Sequence, residues 1–142
     1  MSCLSNFKQN RLAFFVDQLY SLMVSIDEVT TWALAFPEAT QQPHFEKNSF
    51  RVKKKIFATL DVRSQKAVVK LSEIDQSVFV AYDKTIIYPV PGAWGKQGWT
   101  IIELKKVRKT MFKDALRTSY RTVAPKKFLE QMDPLKTKRP LD

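Results

Sequence analysis

Cysteine, histidine and glycine are scarce in this sequence, and each scarcity excludes a class of site. Cys3 is the only cysteine, so no internal disulfide and no cysteine-based metal site can form, and a reducing cytoplasm is the expected compartment. His44 is the only histidine, and no phosphate-loop, dinucleotide-binding, zinc-protease or serine-hydrolase motif occurs. These absences predict a protein without catalytic residues, cofactor or metal.

Long apolar runs are also absent, so the sequence predicts no transmembrane helix and no membrane partner. Asp17 interrupts the one apolar run near the N-terminus, which excludes a typical signal peptide. Residues 12–26 nevertheless carry apolar side chains at helical spacing. This segment could be a membrane-surface or partner helix, a helix packed on its own domain, or an upstream extension before a true start at Met23. We favour the last two interpretations.

Positive charge is what the chain has in excess. Its 142 residues include 24 Lys and Arg against 14 Asp and Glu, which gives a net charge of +10. A hydrophobic share of 44% is enough for a packed core, and the length suits one domain. The excess of cations favours a polyanionic partner such as nucleic acid, although solubility alone could also explain it.

Period-two alternation predicts three strands in the middle of the chain. Phe50 and Val52 alternate with Arg51 and Lys53. The next two segments have Ile56, Ala58 and Leu60 alternating with Phe57, Thr59 and Asp61, and Ala67, Val69 and Leu71 alternating with Lys66, Val68 and Lys70. One sheet face is therefore expected to be buried, and the other to be outward, with Arg51, Lys53, Lys66 and Lys70 on it.

Helix signals flank these strands. Ser25 or Asp27 is predicted to cap a helix that Pro37 stops, and Ser72 with Asp75 to cap a second helix that runs to Tyr82. A short strand at 86–88, a loop rich in glycine and proline, a strand at 99–104 and a helix at about 109–123 follow. This order predicts an α+β fold, an antiparallel β-sheet with helices packed on one face.

Two basic clusters stand out. Lys109, Lys113, Arg117 and Arg121 recur every four residues and would form a row along the last helix, either for a polyanion or as a solvated face opposite the core. Arg51, Lys53, Lys54 and Lys55 surround an expected hairpin, which could touch phosphates as a wing or simply discourage strand aggregation. Trp94 and Trp99 could stack on unpaired bases or anchor their loop.

Several segments in a fixed order resemble the MmcQ/YjbR family. They are Pro43-His44-Phe45, Ser49 to Val52, Lys55 to Ala58, Val69-Lys70-Leu71, Tyr88 to Gly95, Gly98-Trp99-Thr100 and Tyr120 to Lys127. The resemblance implies a CyaY/frataxin-like, double-wing fold described as DNA-binding, with no firmly attached enzymatic activity. By position it implies DNA contacts at Arg51, Lys55, Lys70, Trp94, Lys96, Arg121 and Lys126.

The sequence departs from this family at two places. Lys53-Lys54 occupy a turn that commonly carries glycine, so we expect a longer or distorted loop there. The first helix offers only Asp27 and Glu28 as acids, so the iron binding of frataxin-type proteins is not expected.

We therefore predict a non-enzymatic, cytoplasmic DNA-binding protein of low sequence specificity that contacts mainly the phosphate backbone, through the basic hairpin and the last helix. Lys53 and Arg117 are added to the contacts above. The domain is expected at 25–127, between an N-terminal extension (1–24) and a polar tail (128–142). The alternatives are a protein-interaction or small-ligand module built on the Trp94–Trp99 loop, and an enzyme using His44 with a nearby acid. The oligomeric state is left open.

Overall fold

The structure is a computed structural model that describes residues 23–132 of the chain. Cys3 and residues 12–22 of the predicted 12–26 helix lie outside the described residues, as does the tail beyond residue 132. Residues 23–25 of that prediction are not helical, because Ser25 caps a new helix that begins at Ile26. Within them the elements are α1 (Ile26–Leu34), β1 (Thr40–His44), β2 (Lys47–Val52), β3 (Lys55–Asp61), β4 (Lys66–Lys70), α2 (Glu73–Tyr82), β5 (Ile87–Pro89), α3 (Ala93–Lys96), β6 (Trp99–Glu103), α4 (Lys109–Val123) and α5 (Lys126–Met132).

The strands form one antiparallel sheet in the order β1-β2-β3-β4-β6-β5. Helix α4 packs across β3 and β4 and buries Phe112, Leu116 and Tyr120 against the sheet. The sheet face beneath it is buried as well, and includes Phe50, Leu60, Val69 and Ile102. The predicted α+β fold with an antiparallel sheet is confirmed.

The predicted caps are present at both helices. The Ser25 hydroxyl accepts a hydrogen bond from the Glu28 N–H at 3.1 Å, and the Ser25 N–H donates to the Glu28 carboxylate at 3.3 Å. This reciprocal pair fixes the start of α1. At α2 the Ser72 hydroxyl accepts from the Asp75 N–H at 3.1 Å. Serine is therefore the cap in both cases, and Asp27 lies inside the first turn of α1.

The alternation in β3 is broken by an irregularity that the sequence did not predict. Phe50 pairs with Ala58 but its neighbour Arg51 pairs with Ile56, so Phe57 is an extra residue in β3. As a result Phe57 is fully buried next to Ala58, with its ring 5.4 Å from that of Tyr120, and Ile56 lies on the opposite face. The simple alternation placed Ile56 with Ala58, and that expectation is wrong.

Three further expectations need correction. The β2–β3 loop is not longer: Val52 pairs with Lys55 across a two-residue turn. The Gly- and Pro-rich loop contains the short helix α3. The predicted polar tail from 128 continues instead as α5 to Met132, because Phe128 is buried against the core.

Strand β1 was also not predicted. It is one of the two edge strands of the sheet, and β5 is the other. Each contains a proline, Pro43 in β1 and Pro89 in β5.

Candidate functional site

The sheet face opposite α4 carries a wide apolar groove. Cross-strand pairing places Thr59, Val68 and Ile101 in one row on this open face. The groove has a volume of about 530 Å³, within the usual range for ligand sites. Its lining residues are His44, Phe45, Lys47, Ile56, Thr59, Val68, Val90, Trp94 and Trp99.

One wall of the groove is built from Trp94 on α3 and Trp99 at the start of β6. The connection between them must be tight, since Gly98 has φ +103° and a Cβ there would lie 1.8 Å from the Leu71 carbonyl oxygen. The Leu71 N–H donates to the Gly98 carbonyl at 2.9 Å and closes this approach. Glycine is therefore required at this position for the close approach to Leu71 that connects α3 to β6.

Gln76 on α2 holds this wall from behind. Its side-chain nitrogen Nε2 lies within hydrogen-bond distance of three acceptors: the carbonyls of Gly95 (2.9 Å) and Trp99 (3.3 Å), and the Thr100 hydroxyl (3.0 Å). One side chain thus links α2, α3 and β6. This role was not predictable from the sequence, since Gln76 belongs to no recognisable motif.

The Trp99 ring is also fixed from the β4 side. Lys70 lies opposite Trp99 in the β4–β6 register, with its Nζ 5.5 Å from the ring centroid and donating to the Gln97 carbonyl. This cation–π contact orients a half-buried ring. Trp94, by contrast, is 62% exposed. The wall therefore combines one fixed and one accessible indole.

The other end of the groove is the β1–β2 turn. Phe45 is 92% exposed and has φ +56°, which is unfavourable for a bulky side chain. Its ring meets that of His44 edge-on, with centroids 4.8 Å apart. His44 therefore lies beside an aromatic ring at the groove, which is where the structure places the only histidine.

The tip of the β2–β3 hairpin, which consists of Lys53, Lys54 and Lys55, is exposed. Both residues of the turn have positive φ, +49° for Lys53 and +69° for Lys54, as in a type I′ turn, where asparagine and glycine are favoured. The Lys53 Nζ lies 5.6 Å from the centroid of the Phe128 ring, so this lysine also contacts α5. No acid of the described chain forms an ion pair with Lys54 or Lys55.

Four of the nine predicted contact residues lie on the open face or on the elements that form the groove wall. Arg51 pairs with the groove residue Ile56, and its Nε donates to the Ser49 hydroxyl at 3.0 Å. Ser49 in turn donates to the Gln42 carbonyl at 2.9 Å, which fixes the arginine on this face. Lys70 and Trp94 line or support the wall, and Lys96 follows Trp94 on α3.

The remaining predicted contacts are divided between two other places. Lys53 and Lys55 belong to the hairpin tip, and Lys126 begins α5, whose Phe128 ring the Lys53 ammonium contacts. Arg117 and Arg121 are exposed on α4, in the helix layer on the other side of the sheet. Of the open-face cations, Arg51 is the one that the strand pairing places next to the hairpin tip, and the helix row lies on the other side of the sheet.

Two members of that helix row make contacts with α1. The Lys109 Nζ forms an ion pair with the Glu28 carboxylate at 2.9 Å, and the Lys113 Nζ lies 4.5 Å from the centroid of the Trp32 ring. Partial burial favours the neutral acid, but the hydrogen bonds from Lys109 and the Ser25 N–H outweigh it and lower the pKa of Glu28. The row therefore helps to hold α1 on α4.

A small polar network completes the open face. The Tyr88 hydroxyl donates to the Glu103 carboxylate at 2.7 Å, which lowers the pKa of Glu103, and Lys66 lies 3.5 Å from the same carboxylate. The Tyr88 hydroxyl and the Glu103 charge raise the pKa of Lys66. The Glu103 carboxylate and the Lys66 ammonium are thereby stabilised in their charged forms, and the hydrogen bond to Glu103 raises the pKa of Tyr88, which keeps it a neutral phenol. Among residues 23–132 no cluster of His, Cys, Asp and Glu has the composition of a metal site.

Helix α2 exposes a second apolar surface. Ile74, Val78 and Tyr82 recur every four residues and are all exposed, and none of the ten residues of α2 is fully buried.

Over the part of the chain that the structure describes, no helix has the length and apolar character needed to cross a bilayer.

Residues 34–122 match the family model YjbR. A crystal structure of a Deinococcus radiodurans protein with a DUF419 domain has a similar fold, with a TM-score of 0.65 and 20% sequence identity, over 80% of this chain and 88% of that one. No curated protein matches the chain significantly. The family match covers the open face, the hairpin tip and most of α4.

Proposed function

We propose that this chain, which belongs to the YjbR family, binds DNA and holds its phosphate backbone mainly with the tip of the β2–β3 hairpin. The observation that carries this proposal is the backbone of the turn. Lys53 and Lys54 both adopt positive φ, which costs a residue with a side chain roughly 1–2 kcal/mol. A turn that keeps two lysines despite this cost gains something other than stability.

The cations next to the tip support the same interpretation. Val52 pairs with Lys55 and Arg51 with Ile56, so Arg51 lies one pair away from the turn on the open face. The hydrogen bond from Arg51 to Ser49 holds this side chain in one direction. A fixed guanidinium beside three exposed lysines suits a row of phosphates, which accept hydrogen bonds without regard to base sequence.

The helix row contributes less in this proposal. Lys109 and Lys113 are engaged by Glu28 and Trp32, and Arg117 and Arg121 lie in the layer on the other side of the sheet. We therefore assign α4 a minor share of the binding energy, through long-range attraction. Contacts between cations and phosphates do not read the bases, so the expected sequence specificity is low.

Fluorescence anisotropy with labelled DNA over a series of salt concentrations tests this proposal. The slope of log affinity against log salt reports the number of phosphates neutralised. The double variant Arg51→Ala/Lys55→Ala should bind more weakly to every sequence, with a slope lower by about two.

The matched control is Lys105→Ala/Arg117→Ala, which removes the same charge from exposed positions away from the hairpin. It should change the affinity much less. Equal losses in both double variants would mean that charge alone drives binding and that the hairpin is misassigned. Absence of binding even at low salt would exclude DNA as the partner.

A second candidate, a small-ligand-binding module, is favoured by the groove itself, whose volume and aromatic lining suit an apolar ligand. In that case a molecule should be retained when the protein is purified in 1 M salt, since apolar contacts are not screened. Native mass spectrometry of that preparation would detect it.

A further inference from the structure

We infer that the groove of the open face receives unpaired bases, so that the preferred ligand is single-stranded nucleic acid. This inference rests on the proposed function and names the strand type. Its occupant is a run of a few unpaired nucleotides, with bases in the groove between Phe45 and Trp94 and phosphates along the adjoining cations.

The groove presents flat aromatic surfaces at both ends. Trp94 is 62% exposed beside the fixed Trp99 ring, and Phe45 is 92% exposed at the opposite end. Between them the floor consists of Ile56, Thr59 and Val68. Proteins that bind single strands use such surfaces because every base can stack on an aromatic ring, each stack contributing about 1–3 kcal/mol.

The tryptophan wall is held in place by contacts within the protein itself. Lys70 and Gln97 orient the Trp99 ring, and Gln76 holds the backbone of Gly95 and Trp99. A ligand would therefore find one indole already fixed. Pre-organisation of this kind reduces the side-chain entropy that is lost on binding.

Charge distinguishes a nucleotide strand from an uncharged aromatic ligand. Lys47 lines the groove, Lys70 supports its wall, Arg51 pairs with the floor residue Ile56, and Lys96 lies on α3 two residues after Trp94. A ligand with apolar planes and negative charges on one backbone matches this surface in both respects. In a duplex the bases are paired and stacked, and they cannot enter the groove without being exposed first.

The test compares a labelled thymidine 20-mer with a 20-base-pair duplex at one fixed salt concentration, using anisotropy and intrinsic tryptophan fluorescence. The single strand should bind more tightly and should quench the fluorescence of the wild type. Trp94→Ala should weaken binding of the single strand by roughly fivefold to 150-fold, the equivalent of one lost stack. Duplex binding and the salt slope should stay unchanged.

Two variants keep this result interpretable. Trp94→Phe retains an aromatic plane and should restore most of the affinity. Ile74→Ala removes an exposed apolar side chain from α2, away from the groove, and should have no effect. Because Trp94 is exposed, all three proteins should keep their wild-type melting temperature.

The outcomes separate the inference from the proposed function. If Trp94→Ala binds the single strand as tightly as the wild type does, or if duplex binds more tightly than single strand, bases do not enter the groove. The hairpin proposal would still stand in that case if Arg51→Ala/Lys55→Ala lost affinity. If neither DNA binds at low salt, both proposals are wrong.

Discussion

The Ser119 hydroxyl accepts a hydrogen bond from the backbone N–H of Lys70 at 3.1 Å. The same hydroxyl donates to the Phe57 carbonyl, so one side chain of α4 links β3 to β4. Phe57 is the extra residue of β3 on its β2 side. On its β4 side the strand pairing ends at Ala58 and Val69, and the bridge lies just beyond this last pair. A helix residue thus supplies the hydrogen bonds that the strands do not exchange there.

Replacement of Ser119 by alanine should therefore destabilise the protein by about 1–3 kcal/mol, because a buried N–H and a buried carbonyl lose their partner. Urea denaturation of the variant and the wild type measures the difference. Thr122→Ala removes a hydroxyl from the exposed side of the same helix and should change the free energy of unfolding by less than about 0.5 kcal/mol. Equal effects in the two variants would argue against the bridge.

The hairpin turn gives a prediction in which stability and binding change in opposite directions. Lys53→Asn/Lys54→Gly should raise the free energy of unfolding by about 1 kcal/mol, since both new residues tolerate positive φ. The same variant should bind DNA more weakly. Lys53→Ala/Lys54→Ala is the control, because it removes the charges without relieving the backbone. A stabilised variant with unchanged affinity would show that the strain has no link to binding.

Two glycines of the tryptophan loop should respond very differently to alanine. At Gly98 a new Cβ would lie 1.8 Å from the Leu71 carbonyl oxygen, and φ is +103°. Gly92 also has positive φ, but a Cβ there meets nothing within 4 Å. Gly98→Ala should cost more than about 4 kcal/mol or prevent folding, and Gly92→Ala about 1–3 kcal/mol from its backbone conformation alone. Thermal melts followed by circular dichroism would rank them, and equal melting temperatures would contradict the close approach.

Acid should weaken the attachment of α1. The pKa of Glu28 is lowered in the folded protein, so its carboxylate contributes stability that is present above its ordinary pKa of 4.5. That contribution is lost as the pH falls through the lower, folded pKa. Glu28→Gln keeps a capping side chain but removes the charge, and at pH 7 it should cost about 0.5 kcal/mol.

The difference between Glu28→Gln and the wild type should disappear below the folded pKa of Glu28, where the acid is protonated. It should also shrink at pH 7 in 1 M salt, because the Lys109 ion pair is partly exposed. Denaturation midpoints at several pH values provide the measurement. A difference that is constant with pH would mean that the charge of Glu28 plays no part.

Most of the fold followed from local signals. The caps at Ser25 and Ser72, the stop before Pro37 and the apolar stripe of α4 all act through near neighbours, and each was predicted from the sequence. Strand β1 was not, because its sequence, Thr-Gln-Gln-Pro-His, has no apolar alternation and forms a strand only by pairing with β2.

The candidate site was predictable only in parts. The exposed cations of the hairpin and the pair Trp94 and Trp99 in the Gly- and Pro-rich segment could be identified from the sequence. The groove could not, because it joins His44 and Phe45 of one turn to tryptophans about fifty residues later. The place of Ile56 in it also depends on the extra residue Phe57, which shifts the alternation by one. Tertiary pairing, rather than local preference, decided both.

The two prolines at the margins of the sheet have a consequence for behaviour at high concentration. Pro43 and Pro89 lie in the strands that end the sheet, and neither can donate a main-chain hydrogen bond. A strand from another molecule that approached either edge would meet a backbone that lacks one N–H donor. At β1 the side chains of the edge strand also include no valine, leucine or isoleucine. The fold therefore resists growth into fibrils along its margins while one broad face stays open to solvent.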